Sequence, residues 1–555
     1  MCGIAGYAPL DAAMPLTAAP LGPMLAALQH RGPDDEGVFC NSRVALGHRR
    51  LAIVDLEGGH QPVAGARPGT VAVLNGEIYN YAALAKELAA RGHRFRTRSD
   101  GEVLAHAYDA WGLDFLDRLD GMFALAVWDD ERGRLLLARD RMGEKPLFHA
   151  VAGGLLLFAS ELTSLLAHPA APTGLDLDAF AAYLLLEYVP APLSLVPGVA
   201  KLPPGGALLL EGGTTKAWRY WRLRSAHAPR PAAAKPAELR ELLVRSVHER
   251  QRCEVPLGVF VSGGIDSGAV AALAAPDTLV AAFAAGFEDE EFDERRHARA
   301  VATRLGIPLL ERIVTGRDAL EIATRLPLIL DEPIGDASII PTTALCAFAR
   351  EHVKVALCGE GGDELFAGYP MHRAHRVARW ARLLPGGIHR LLAAAAALLP
   401  PRHGDFDPAF KVRSFLRGAG LAPPLNHVLW MSSFSQEEQA RLLRPEVFAA
   451  SGGCRAALAL IDEAWEGLGP SGPVGRSARF DAVTFLANSV LTKVDRASMS
   501  VGLEVRSPFL ARDVVDFALG LADAELMRGL TGKRILRRAL RDDLPGPILR
   551  RPKKG

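Results

Sequence analysis

Cys2 follows the initiator methionine and precedes Gly3, a small residue that leaves a thiol accessible. Removal of Met1 would place a nucleophilic thiol and a free α-amine on one residue. An amine of pKa about 7.7–8.0 can act as the general base, so no separate histidine is needed. Four later segments supply partners: His30-Arg31-Gly32-Pro33-Asp34, Gly47–Asp55 with Arg50 inside it, Asn75-Gly76-Glu77-Ile78-Tyr79-Asn80, and Ser99-Asp100-Gly101-Glu102. An arginine to grip a carboxylate, an acid to grip an ammonium and an Asn-Gly pair to stabilise an oxyanion suit hydrolysis of a glutamine amide.

A second constellation lies far downstream. Pro256–Val261 reads as a buried strand and runs into Ser262-Gly263-Gly264-Ile265-Asp266-Ser267 and an Ala-rich helical stretch. A strand, a Gly-rich turn and a helix N-terminus form an anion site from backbone N–H groups and the helix dipole. The Walker pattern is absent and the turn has no lysine; Asp266 instead offers a carboxylate to Mg2+. Glycines also serve tight βα turns, but a second apolar run, Val353–Leu357, ends in Cys358-Gly359-Glu360-Gly361-Gly362-Asp363-Glu364. Two strand ends bearing glycines and acids are what a nucleotide site at the carboxyl edge of a parallel sheet requires.

Two kinds of architecture must position these groups. Val71–Leu74, Met122–Trp128, Arg134–Ala138 and Leu155–Ala159 are short β-like runs bounded by Gly, Asp or Asn. Helical spacing in this half is confined to Tyr81–Arg91 and Asp176–Tyr188. Beyond the Pro/Ala-rich stretch near Ser225–Pro236 the rhythm changes. Helical segments alternate with Val255–Val261, Leu279–Ala285, Pro308–Val314 and Val353–Leu357, a pattern for a parallel α/β sheet, and from about Ala374 helix dominates. His372 and His375 could share a helix face and read as a solvated pair rather than a metal site.

Composition excludes several classes. The 555 residues carry 64 Lys+Arg against 63 Asp+Glu, a net charge of +1, which disfavours broad electrostatic binding of nucleic acid. With 49% hydrophobic and 23% charged residues the chain reads as soluble and globular. Its six cysteines form no C-x-x-C, and the apolar stretch Leu391–Pro400 is too short to span a bilayer. The start lacks a signal-peptide pattern, so a cytoplasmic location without membrane partners is expected.

Cys2–Gly6, HRGPD, NGEIYN and Arg139–Phe148 together resemble a class II glutamine amidotransferase domain, an N-terminal-nucleophile hydrolase. The resemblance implies Cys2 as nucleophile and Asn75 with Gly76 as oxyanion hole. Arg50, Glu77 and Asp100 would hold glutamine in a pocket lined by Leu51, Ile53 and Val54. S-G-G-x-D-S resembles the PP-loop of ATP pyrophosphatases, and with GEGGDELFAGY it is similar to the synthetase domain of glutamine-hydrolysing asparagine synthetases. Asp331-Glu332-Pro333, Lys493–Arg496, Leu503–Leu510 and Gly532–Arg537 also fit, in the family's order.

The implied fold is an α+β N-terminal-nucleophile hydrolase sandwich (2–215), a linker (216–236), and an α/β parallel-sheet PP-loop ATP pyrophosphatase domain with a helical C-terminal part (237–555). The implied substrates are glutamine, aspartate and ATP, with Mg2+ held by Asp266 and Asp363; a homodimer is admitted. Ser262, Gly263, Gly264, Asp266 and Ser267 would cradle pyrophosphate while Val261, Cys358 and Gly359 contact the nucleotide. Glu360 would act in forming an acyl-adenylate, and Lys533 would stabilise developing phosphate charge.

The chain departs from the family in three places. Glu504–Ala511 reads EVRSPFLA where EARVPFLD is usual, Cys358 stands where serine is common, and the last residues stop where relatives continue, so the final helices are expected to be missing. Three functions therefore stay open: asparagine synthesis, amidation of another carboxylate in polysaccharide or natural-product synthesis, and a bare glutaminase or silent binding protein.

Overall fold

The computed structural model describes residues 2–223, 235–274, 278–383, 385–398 and 408–551. The first twelve strands build two six-stranded antiparallel sheets. One contains β1 (Gly3–Pro9), β2 (Asp35–Cys40), β3 (Ala45–Arg50), β8 (Phe148–Ala152), β9 (Leu155–Ala159) and β10 (Val199–Lys201), in the order β10-β8-β9-β1-β3-β2. The other runs β12-β11-β7-β6-β5-β4, from β12 (Thr214–Arg219), β11 (Gly206–Glu211), β7 (Arg134–Arg139), β6 (Gly121–Asp129) and β5 (Thr70–Ile78) to β4 (Val63–Ala64).

Their facing sides share one apolar layer that includes Ile4, Leu46, Val71, Val73, Ala126 and Phe158. Because side chains alternate across a strand, Asn75 and Glu77 follow Val71 and Val73 onto the face turned towards β1. Helices Tyr81–Ala90 and Asp100–Trp111 cover the outside of the second sheet. The sandwich is the α+β class anticipated, but the Asp100–Trp111 helix was not. Its start carries a readable signal: Ser99 caps it, accepting from the Gly101 amide at 3.2 Å, and Asp100 and Glu102 lie in its first turn.

β12 crosses the boundary expected at 215, and 224–234 of the anticipated linker lie outside the described residues. The second half is built on a five-stranded parallel sheet, β15-β14-β13-β16-β17. It comprises β13 (Leu257–Phe260), β14 (Leu279–Phe287), β15 (Leu309–Val314), β16 (Val355–Leu357) and β17 (Glu504–Arg506). The chain moves outward from β13 to β15, then returns to place β16 on the other side of β13. The adjacent carboxyl ends of β13 and β16 are thus a topological switch point. β17 is a strand inside a region expected to be helical. It pairs Glu504, Val505 and Arg506 with Val355, Ala356 and Leu357.

The two halves share a single hydrophobic cluster: Leu51, Ile53, Tyr79 and Met142 pack with Leu257, Val259, Phe366 and Phe509. The solvated reading of His372 and His375 is corrected. Both are buried; His372 Nε2 is 2.7 Å from Asp481, and His375 Nε2 is 2.8 Å from His427 Nδ1. His427 reaches the other oxygen of Asp481 at 2.7 Å, so three imidazoles and one carboxylate tie the helices Pro370–Ala381, Leu425–Met431 and Pro473–Val483 together. Among the described residues no helix is long and apolar enough to cross a membrane.

Candidate functional site

Cys2 sits at the entrance of β1, buried, with its backbone nitrogen donating to Asn75 Oδ1 at 3.1 Å. Asn75 Nδ2 donates to Ser160 Oγ at 3.3 Å, and Ser160 in turn accepts from the Ile4 amide at 3.0 Å. The asparagine that should face an oxyanion is therefore anchored to the nucleophile's own strand. Burial pushes the Cys2 thiol up to about 11, so at neutral pH it is protonated and needs a base to become a nucleophile. Gly76 has φ +142°, and a Cβ there would lie 1.9 Å from the Met122 carbonyl oxygen, so only glycine fits beside Asn75.

Leu51, Ile53 and Val54 form the loop after β3, and Arg50 shapes it. Its guanidinium donates to the carbonyls of Val54, Asp55 and Leu56 at 3.2, 2.7 and 3.1 Å. Glu77 and Asp100 converge on the same region, Asp100 accepting from the Ile78 amide at 2.9 Å. Burial raises Glu77 well above the ordinary carboxylate range and lifts Asp100 to about 6; Glu504 adds repulsion to both. Arg506 is the counter-cation from the second half, 2.6 Å from Glu504 and 3.4 Å from Glu77. Three buried carboxylates, Glu77, Asp100 and Glu504, thus gather around this one guanidinium.

At the second site, Val261 ends the β13 run, its amide donating to the Phe283 carbonyl at 2.9 Å. Ser262 and Ser267 close the turn, with hydroxyls 3.1 Å apart and the Ser262 amide donating to Ser267 Oγ at 3.1 Å. Gly263 occupies φ +73°, and Gly264 leads into the Ile265–Leu273 helix, which carries Asp266 in its first turn. From β16, Cys358 donates its amide to the Arg506 carbonyl at 2.9 Å, and its thiol lies 3.2 Å from Ser507 Oγ. Gly359 packs on Asp266 and Ser267, and Glu360, the next residue, is half-buried.

Lys533 holds the centre of this site. Its ammonium lies between Asp266, which it contacts closely, and Asp363, at 2.5 Å. Gly362 and Gly368 leave the room: a Cβ at 368 would stand 1.7 Å from Asp363 Oδ1, and one at 362 would stand 2.5 Å from Asp266 Cγ. Of the anticipated phosphate-site residues, Ser262, Gly264, Asp266, Ser267 and Lys533 line one cleft, and Asp363 reaches it through its contact with Lys533. The structure adds Arg373, Arg537, Glu294 and Arg551, which sequence reading did not single out. Arg551 donates to the Gly263 carbonyl at 3.1 Å and pairs with Glu294.

Residues 1–221 match the model of a glutamine amidotransferase domain, and residues 238–555 match that of asparagine synthase. A protein of Mycobacterium tuberculosis (strain ATCC 25618 / H37Rv) is 34% identical over 591 residues, covering 100% of this chain and 87% of its own length. Asparagine synthetase (glutamine-hydrolyzing) 1 of Bacillus subtilis (strain 168) is 30% identical over 95% of this chain and 82% of its own. Asparagine synthetase (glutamine-hydrolyzing) 3 of the same organism is 31% identical over 100% of this chain and 86% of its own. With a buried Cys2 facing Asn75 at one end and a lysine-bridged carboxylate pair behind a Gly-rich turn at the other, the chain belongs to the glutamine-hydrolysing asparagine synthetase family of ATP-dependent ligases.

Proposed function

We propose that the chain makes asparagine from aspartate, using glutamine as nitrogen donor and ATP as activator. In the first half-reaction the Cys2 sulfur attacks the glutamine amide carbon after its proton passes to the α-amine exposed by loss of Met1. The tetrahedral oxyanion meets the Asn75 side-chain amide and the Gly76 N–H. The C–N bond breaks, ammonia leaves, and water releases glutamate from the thioester. Glu77 and Asp100 take the substrate ammonium; Arg50 and the Leu51–Val54 loop take its carboxylate end.

In the second half-reaction an aspartate β-carboxylate oxygen attacks the α-phosphorus of ATP, and the bond to the β-phosphate breaks. Ammonia then attacks the acyl carbon of the adenylate and AMP leaves. Ser262–Ser267 hold the departing pyrophosphate with backbone N–H groups and hydroxyls, and Lys533 balances its charge. Val261, Cys358 and Gly359 orient the nucleotide, and Glu360 serves the step that forms the adenylate.

Mg2+ fits this donor set. Asp266 and Asp363 present hard carboxylate oxygens on either side of Lys533. That is the donor chemistry of a cation held by one or two carboxylates plus phosphate oxygens and water. When bound it would neutralise charge on the phosphates.

The observation that carries this reading is that Arg506 belongs to both sites. Its guanidinium touches Glu77 of the glutamine pocket at 3.4 Å, while its carbonyl accepts from the Cys358 amide of the nucleotide loop at 2.9 Å. Arg506 thus links the wall of the glutamine site to the strand end that carries the nucleotide loop. The test is pyrophosphate release with glutamine, ATP and Mg2+, with and without aspartate, and asparagine measured in parallel. Aspartate-dependent pyrophosphate matched one-to-one by asparagine is expected. Glutamate formation uncoupled from either product would favour a bare glutaminase, and coupling only to another carboxylate would favour a different acceptor.

A further inference from the structure

The peptide carbonyl of Cys2 has a partner that the hydrolytic half alone does not hold in place. Arg31, with 0% of its surface exposed, donates Nε–H to that carbonyl at 3.0 Å. The rest of its guanidinium is spent on two carboxylates. Nη1 donates to Glu161 at 2.7 Å and to Asp495 Oδ2 at 2.8 Å, and Nη2 donates to Asp495 Oδ1 at 3.0 Å. Asp495 comes from the second half, on the helix Leu491–Met499. A two-pronged arginine–carboxylate pair fixes direction as well as distance, and in a dry interior neither partner can turn to water.

That helix is itself clamped on either side of Asp495. Lys493 donates to Asp336 and to Ser338, both at 2.7 Å. Arg496 pairs with Glu161 at 2.6 Å and with Asp331 at 2.8 Å. Glu161 adjoins Ser160, the hydroxyl that accepts from the Asn75 amide. Both arms of the hydrolytic centre thus rest on this network: the Cys2 carbonyl through Arg31, and the Asn75 side chain through the Ser160–Glu161 corner.

We infer that Asp495 is a positioning residue for glutamine hydrolysis, acting through Arg31 on the Cys2 peptide, so that the synthetase half completes the hydrolytic centre. Without the Asp495 charge, Glu161 is the one carboxylate left on Arg31 and the two-pronged fork is broken, so the sulfur loses its fixed bearing on the amide carbon. A displacement of about 1 Å in a reacting group is worth roughly 100-fold in rate. This inference rests on the reading of Cys2 as the nucleophile.

The test uses the full chain carrying Asp495→Asn, which keeps the shape and removes the charge. Glutamine hydrolysis is expected to fall about 10- to 100-fold in kcat, with KM within about threefold. Alkylation of Cys2 by a chloroketone analogue of glutamine should slow in parallel. Pyrophosphate release driven by ammonium chloride in place of glutamine should stay within about twofold, since that route bypasses Cys2. Arg31→Lys, which keeps charge but not the fork, should show the same split. An Asp495→Asn chain that hydrolyses and alkylates at the parent rate overturns the inference. Equal losses in the glutamine- and ammonium-driven reactions also overturn it, by assigning Asp495 a general structural role. Hydrolysis by the parent that survives Cys2→Ala would sink the underlying reading and this inference with it.

Discussion

Replacing Gly76 with alanine should disable one half of the chain and spare the other. The added methyl would lie 1.9 Å from the Met122 carbonyl oxygen and 2.8 Å from Phe123 Cα. Protein Cβ contacts do not fall below 3.0 Å, so the backbone would have to move by at least 1.1 Å, against the pairing of Gly76 with Phe123 across β5 and β6. The φ of +142° strains any side chain further. The N–H displaced is the one proposed to meet the oxyanion, and losing such a donor costs about 100- to 1000-fold in kcat, or about 2.7–4 kcal/mol of transition-state stabilisation. The assay is glutamate release under saturating glutamine, with ammonium-driven pyrophosphate release as the internal control. Hydrolysis down by about 100-fold or more, with the ammonium reaction intact, is the expected pattern. Hydrolysis within about threefold of the parent would refute the assignment of Gly76 to the oxyanion hole.

Lys533→Met leaves Asp266 and Asp363 facing each other without the ammonium between them, and should lower pyrophosphate release by about 100-fold or more while Cys2-dependent hydrolysis persists; parallel measurement of the two products checks it. Cys358→Ser should leave synthesis within about twofold, because burial pushes the thiol up to about 12 and its contact with Ser507 suits a hydroxyl equally well; a steady-state assay of asparagine formation decides. His48 is buried against the Leu74 carbonyl at 3.1 Å, and burial first, with nearby Arg50 assisting, depresses it to about 3. Its contribution to stability is therefore full above the unfolded value of about 6.5 and is lost as pH falls towards 3. Between pH 7 and 5 that loss is about 2 kcal/mol. Chemical denaturation at the two pH values should show His48→Asn losing about 2 kcal/mol less than the parent; equal losses would contradict the buried neutral imidazole.

Motifs that combine glycine with a reactive side chain were the legible part of the site. Asn75-Gly76, Ser262–Ser267 and Gly361–Asp363 announce themselves because close backbone approach admits few other residues. The strands that carry them were legible too, since β5, β6, β13 and β16 are apolar runs ended by turn residues. β17 was not. Two of its three residues, Glu504 and Arg506, are charged, and they pair with each other at 2.6 Å while Arg506 also donates to the Arg250 and Arg252 carbonyls at 2.8 Å. Such a strand has no hydrophobic period to read.

The same cause hid other groups. Arg31 and Asp495 sat inside recognised motifs, but nothing local says that residues 464 positions apart will share a hydrogen-bonded fork. His372 and His375 looked like a wet helix face until Asp481 and His427 arrived from other helices. Arg50 was legible as a binding-site arginine, whereas its three bonds to the Val54–Leu56 carbonyls depend on a loop conformation with φ +51° at Asp55. Paired charges from distant segments are invisible to composition and periodicity alike.

On the proposed reading the two sites act as one, with nitrogen passing from Cys2 to the adenylate inside the molecule. The direct measurement supplies glutamine labelled with 15N at the amide, together with ATP, aspartate, Mg2+ and an excess of unlabelled ammonium, and reads the isotope in the asparagine formed. Internal transfer predicts that 15N dominates the product while free ammonium stays largely unlabelled. Asparagine carrying the isotope ratio of the bulk ammonium pool would contradict it.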